Sequence, residues 1–172
     1  MKSPTREDEI HDTWNLLAHT YRLIGKLWNK ELSEYGFSRE QALVLITVKA
    51  LGDNATPYRI SRFQVQEHNT VSDIINRMVK KGLVTKVRVS DGRSRVKVKL
   101  TERGQEAFHR ALERDTLTRI IGALPENKLG QLKSCLEILR DKALNEIGEG
   151  QEWPEIRIPP SQWKRSGLIE KK

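Results

Sequence analysis

Apolar residues recur at steps of four and three through Ile10, Trp14, Leu17, Tyr21, Ile24, Trp28 and Leu32, predicting a helix of more than six turns. Gly36 ends it. Ser38, followed by Glu40 and Gln41, opens a second helix with an apolar face of Ala42, Leu43, Leu45, Ile46 and Leu51. Gly52-Asp53-Asn54 reads as a turn, and Thr56-Pro57 as an N-cap followed by proline at the first helical position of a short helix reaching about Phe63. Asn69 or Thr70 should cap the next helix, over about 70–81. In it Val71, Ile74, Ile75, Met78 and Val79 form one inward face. Lys80-Lys81-Gly82 closes that helix, with cations on its negative end and a glycine suited to the left-handed cap.

From Val84 the period becomes two. Val87, Val89, Val96, Val98 and Leu100 are expected on one side of a hairpin, and Lys86, Arg88, Arg95, Lys97 and Lys99 on the other, with residues 90–94 as the turn. Thr101-Glu102-Arg103 caps a helix carrying apolar residues from Ala107 to Leu124, and Pro125 begins the last one, with Leu129, Leu132, Leu136, Leu139, Ala143 and Ile147. Gly148-Glu149-Gly150 breaks the composition, and Trp153-Pro154, Pro159-Pro160 and Trp163 follow without helical period. The element order predicts a mainly α fold with a small β-hairpin wing. The expected unit is a winged helix-turn-helix domain flanked by long N- and C-terminal helices over 1–148, with its winged core at about 38–104 and a Pro- and Trp-bearing extension at 149–172. Those terminal helices carry more apolar seam than a small monomer can cover, so a homodimer is expected.

Charge sharpens this picture. Residues 77–103 hold ten Lys and Arg against two acids, a net +8 that equals the charge of the whole chain. A basic field concentrated on one segment suits nucleic acid, where neutralising phosphates releases counterions. The longest apolar run, residues 42–46, is far too short to span a bilayer, residues 1–10 do not resemble a signal peptide, and a cytoplasmic protein is expected. A single cysteine, Cys135, supplies neither an internal disulfide nor a zinc cluster. Its place on the last helix's leucine seam predicts a buried thiol. His11 beside Asp8 and Asp12 is better explained by the helix dipole than by a metal. With no nucleophile elbow, phosphate loop or paired cysteines, neither an enzyme nor a cofactor is indicated.

Several segments resemble the MarR family of bacterial transcription regulators: Thr56-Pro57, Thr70-Val71-Ser72, Lys80-Lys81-Gly82-Leu83-Val84, Asp91-Gly92-Arg93-Ser94-Arg95 and Leu100-Thr101-Glu102-Arg103-Gly104. Their order and spacing carry the resemblance over about residues 10–147. The chain departs from the pattern at Val65, where the family usually has glycine between the two short helices. It departs again at the wing tip, where Ser94 is the nearest counterpart of a second aspartate.

The outward side of the 70–81 helix carries Asn69, Asp73, Asn76 and Lys80, flanked by Thr70, Ser72 and Arg77, and fits the major groove. Asn76 is suited to paired hydrogen bonds with adenine, Arg77 to guanine or phosphate, and Thr70 and Ser72 to phosphate. Asp73 accepts from a cytosine amino group or pairs with Arg77. On the wing, about 84–100, the resemblance implies that Arg93 or Arg95 enters the minor groove, while Lys86, Arg88, Lys97 and Lys99 are placed to follow phosphates. The partner is then double-stranded DNA with a roughly palindromic operator, and the expected role is repression. The resemblance also implies a small aromatic or lipophilic effector, with Trp14, His19, Tyr21, Arg22 and Trp28 as lining residues, although an aromatic helical stripe is more often dimer core. The competing reading is a protein–protein adapter using the basic face and the Trp-bearing tail.

Overall fold

Thr5 opens the first helix with a capping box: its hydroxyl accepts from the Asp8 amide, and the Asp8 carboxylate accepts from the Thr5 amide and hydroxyl. In this computed structural model, which describes residues 4–90, 94–113 and 115–147, that helix is α1, Arg6–Glu34. Its two halves differ. Trp28 and Leu32 enter the core, whereas Ile10, Trp14, Leu17 and Tyr21 stand exposed along the same seam. A second capping box, Ser38 with Gln41, starts α2, Arg39–Leu51. Val44 and Val48 are buried beside Ala42, Leu45 and Ile46, so this helix is covered on more sides than one apolar face predicts. It is the central element of the domain.

A 3-10 turn over Gly52–Asn54 leads to Thr56, whose hydroxyl caps α3, Pro57–Gln64, by accepting from the Arg59 amide at 3.2 Å. Val65 ends α3 in the left-handed region, at φ 52° and ψ 47°. The position where glycine is missing from the family pattern is therefore one that requires glycine's conformation. A β-branched residue costs roughly 1–2 kcal/mol there. Val65→Gly should stabilise the fold by about 1 kcal/mol after the looser unfolded chain is counted, and a urea titration would show it as a raised midpoint. An unchanged or lowered midpoint would mean that the strain is relieved elsewhere.

The next helix, α4, spans His68–Lys80, with Glu67 as an N-cap that makes no side-chain bond. Asn69 and Thr70 are good caps locally, but the left-handed Val65 turns the chain so early that both already lie inside the helix. Val71, Ile74, Ile75 and Met78 are buried as expected, while Val79 falls on the edge at 39% exposure.

Strands β1, Val84–Ser90, and β2, Ser94–Leu100, pair antiparallel with Lys86 opposite Val98, Val87 opposite Lys97 and Arg88 opposite Val96. Cross-strand partners share a face, so the expected division into one valine face and one basic face is wrong. Lys86 and Arg88 share the side of buried Val84 and Val98, and Val87 lies among Lys97 and its neighbours. Strand alternation predicts each strand correctly but leaves open which parity faces which; the register between the strands decides that.

The helix expected after the wing is two elements, α5, Glu102–Glu113, and α6, Asp115–Ile121. The Glu31 carboxylate of α1 accepts from the Asp115 and Thr116 amides at 3.0 and 3.1 Å and so caps α6 from outside. The last helix, α7, Glu126–Ile147, has no buried residue. Cys135 is accordingly exposed, contrary to the buried thiol expected on the leucine seam: among the described residues no element packs over that seam. The extension at 149–172 lies outside the described residues.

Candidate nucleic-acid interface

The face of α4 opposite its buried residues presents Asn69, Thr70, Asp73, Asn76, Arg77 and Lys80, all exposed, with Ser72 half-buried. The Ser72 hydroxyl lies 3.5 Å from His68 Nε2. Among the described residues Asp73 forms no ion pair with Arg77, although the two stand one turn apart. Unsatisfied amides at the start of this helix add a partial positive charge to the same end as Thr70.

The wing brings cations beside that face. Lys86 Nζ donates to Asn76 Oδ1, tying the hairpin to the helix by side chains. Arg88 is exposed, Lys97 is half-buried, and Arg95 stands in β2 opposite Val89. Arg93 lies outside the described residues. Lys99 is engaged by Asp53 at 3.4 Å, and the Val98 amide donates to the Ala55 carbonyl at 2.8 Å, so the base of β2 is held against the turn before α3.

The orientation of α4 is set at its end. Gly82, at φ 68°, closes it with amide bonds from Leu83 to the Met78 carbonyl and from Gly82 to the Val79 carbonyl, both 2.9 Å. Lys81 Nζ donates to the Gly36 carbonyl at 2.9 Å and to Gln41 Oε1 at 3.4 Å, clamping this end to the α1–α2 corner. Thr101 Oγ1 donates to the Gly82 carbonyl at 2.6 Å and accepts from the Gly104 amide at 2.9 Å, and Arg103 Nη1 donates to the Lys81 carbonyl at 3.1 Å. Sequence reasoning assigned Lys81, Thr101, Arg103 and Gly104 no such role. The available signal was a glycine just inside a helix behind a capping threonine.

The aromatic residues of α1 do not converge. Trp14, His19, Tyr21 and Arg22 are exposed, while Trp28 is buried in the core at 7% exposure. The Arg39 guanidinium lies over the Tyr21 ring at 5.4 Å. Near His11, hydrogen bonds from the Thr5 hydroxyl and then its amide hold the Asp8 carboxyl below its ordinary range, so Asp8 is committed to the cap. No group of three or more His, Cys, Asp or Glu among the described residues is placed to hold a metal ion.

A recognition-type helix packed behind a shorter one and followed by a two-stranded hairpin defines a winged helix-turn-helix. Residues 35–94 match the model described as MarR family, so this stretch, from the end of α1 through the first wing strand, is similar to that family. The fold is similar to that of the organohalide-sensing regulator RdhR-CbdbA1625 solved with 2,4-dichlorophenol, at 27% identity over 84% of this chain and 88% of that one, with a TM-score of 0.72. A mutant MarR from E. coli, complexed with operator DNA, is 20% identical over 79% of this chain and 99% of that one, with a TM-score of 0.69. AbsC from Streptomyces coelicolor, a MarR family regulator, is 19% identical over 84% and 99%, with a TM-score of 0.71. No curated protein matches the chain. No helix among the described residues is long and apolar enough to cross a membrane.

Proposed function

We propose that the protein is a homodimeric, sequence-specific DNA-binding repressor acting in the cytoplasm. The observation that carries this reading is the joint between α4 and the wing: a fully exposed polar helix face, held at a fixed angle and flanked by cations, with Lys86 linking the two. A solvated surface has no need of such anchoring. The α4 face enters the major groove, with Asn76 and Arg77 at base edges and Asp73 within reach of a cytosine amino group. Thr70, Ser72 and the free amides of α4 meet phosphate, and Asn69 and Lys80 flank them. Arg88 and Lys97 follow the backbone, and Arg95, with Arg93, serves the minor groove. A two-fold dimer places the heads on half-sites about one helical turn apart, giving a roughly palindromic operator. That a mutant E. coli MarR of similar fold is complexed with operator DNA supports duplex DNA as the partner.

Regulation by a small aromatic or lipophilic ligand is the second part of the proposal. It is supported by the dichlorophenol-bound relative. Anisotropy titration against duplex oligonucleotides at several salt concentrations tests the DNA part directly. Binding that falls steeply with salt is expected. Arg95→Ala should weaken it about tenfold and reduce the log–log salt slope by about 0.9, one phosphate's worth. No retention of duplex in dilute buffer would overturn the reading, and capture of an acidic protein instead would favour the adapter.

A further inference from the structure

We infer that Lys86 makes Asn76 a reader of guanine rather than adenine, by occupying the amide oxygen so that only the NH2 group faces the groove. This deepens the proposed function and rests on α4 being the recognition helix. An ammonium carries donors and no acceptor, so the Asn76 atom that Lys86 touches must be Oδ1. The amide orientation is thereby fixed by chemistry. Both backbones are rigid at this point: Asn76 follows fully buried Ile75 on α4, and Lys86 pairs with nearly buried Val98 across the hairpin.

Paired recognition of adenine needs Oδ1 to accept from the base N6 amino group while Nδ2 donates to N7. Lys86 already takes one of the two lone pairs of Oδ1, so an adenine amino group would have to bring a second positively polarised N–H to the same oxygen, against the charge of the ammonium. Cytosine presents an amino group as well and meets the same conflict. Guanine offers two acceptors, O6 and N7. The outward Nδ2 hydrogens and the remaining Lys86 hydrogens can serve both at once. Thymine offers one acceptor and a methyl group, and satisfies only part of this donor set. Lys86 is thus a specificity-determining residue that acts through its neighbour, beyond the phosphate contact its charge alone suggests.

The test is selection from a randomised duplex pool by the full chain, its Asn76→Ala variant and its Lys86→Met variant, with thermal melts to confirm that all three fold. The parent should select guanine at one position of each half-site, and Asn76→Ala should lose that preference. Lys86→Met frees Oδ1 and should switch the same position to adenine, favoured about tenfold over guanine. Any base other than guanine at the Asn76-dependent position of the parent, no such position, or guanine retained by Lys86→Met overturns this inference alone. A parent that retains no duplex overturns the regulator reading, and this inference with it.

Discussion

A chain carrying both Trp14→Glu and Tyr21→Glu should emerge from size-exclusion chromatography as a monomer. It should bind a two-half-site duplex at least about a hundredfold more weakly than the parent. Both side chains are 64% exposed in the protomer, one heptad apart on a seam whose last members, Trp28 and Leu32, are buried. One continuous stripe is therefore half covered and half bare. Across the molecule α7 repeats the situation with Leu132, Leu136 and Leu139 at 41–53% exposure. Among the described residues nothing covers either stripe, and the homodimer proposed above would bury both. Two carboxylates in that seam would have to be desolvated on association, which costs far more than lost packing. The DNA effect follows from linkage: with the dimer broken, the second head no longer reaches its half-site intramolecularly. A single-half-site duplex is the control, because parent and variant should bind it alike. A dimer that survives, or a monomer with undiminished affinity for the full site, would reject α1 as the interface.

Which parts of this architecture were legible in the sequence depends on the range of the interactions that set them. The α4 face, the Thr56-Pro57 start of α3 and the Ser38–Gln41 capping box follow from periodicity or from partners within four residues, and the structure reproduces them. Three features depend on distant or non-periodic causes. The break between α5 and α6 is capped by Glu31, a carboxylate from the first helix. The start of α4 is advanced by the left-handed Val65, which overrides the local capping preference of Asn69 and Thr70. The pairing of wing faces is set by the register between the strands, and each strand taken singly reads equally well either way. That last point reaches the site itself. With the expected register Lys86 would sit on a wholly basic face; with the observed one it lies on the side of Val98 and meets Asn76. The residues proposed to contact DNA were legible as types, but the bond joining two of them required the structure.

Gly104→Ala should cost about 3 kcal/mol of stability and lower the melting temperature by roughly 10 °C, the largest effect expected from adding one carbon to this chain. A Cβ at this position would lie 1.9 Å from the Leu83 carbonyl oxygen and 3.0 Å from its carbon. That oxygen cannot simply yield. It accepts from the Thr101 amide at 3.1 Å, and the Leu83 amide is bound to the Met78 carbonyl at the end of α4. Moving α5 away instead breaks the Gly104 amide bond to Thr101 Oγ1 and strains the Arg103 bond to the Lys81 carbonyl. Either relaxation rotates α4 or the wing relative to the α1–α2 corner. Operator binding should therefore weaken even at temperatures where the variant is fully folded, by more than Lys97→Ala, which removes one charge and leaves the frame intact. Thermal melts and anisotropy titrations on both variants separate the two effects. A Gly104→Ala chain that melts within 2 °C of the parent would show that the wing is not locked to α5 and α4 through this contact.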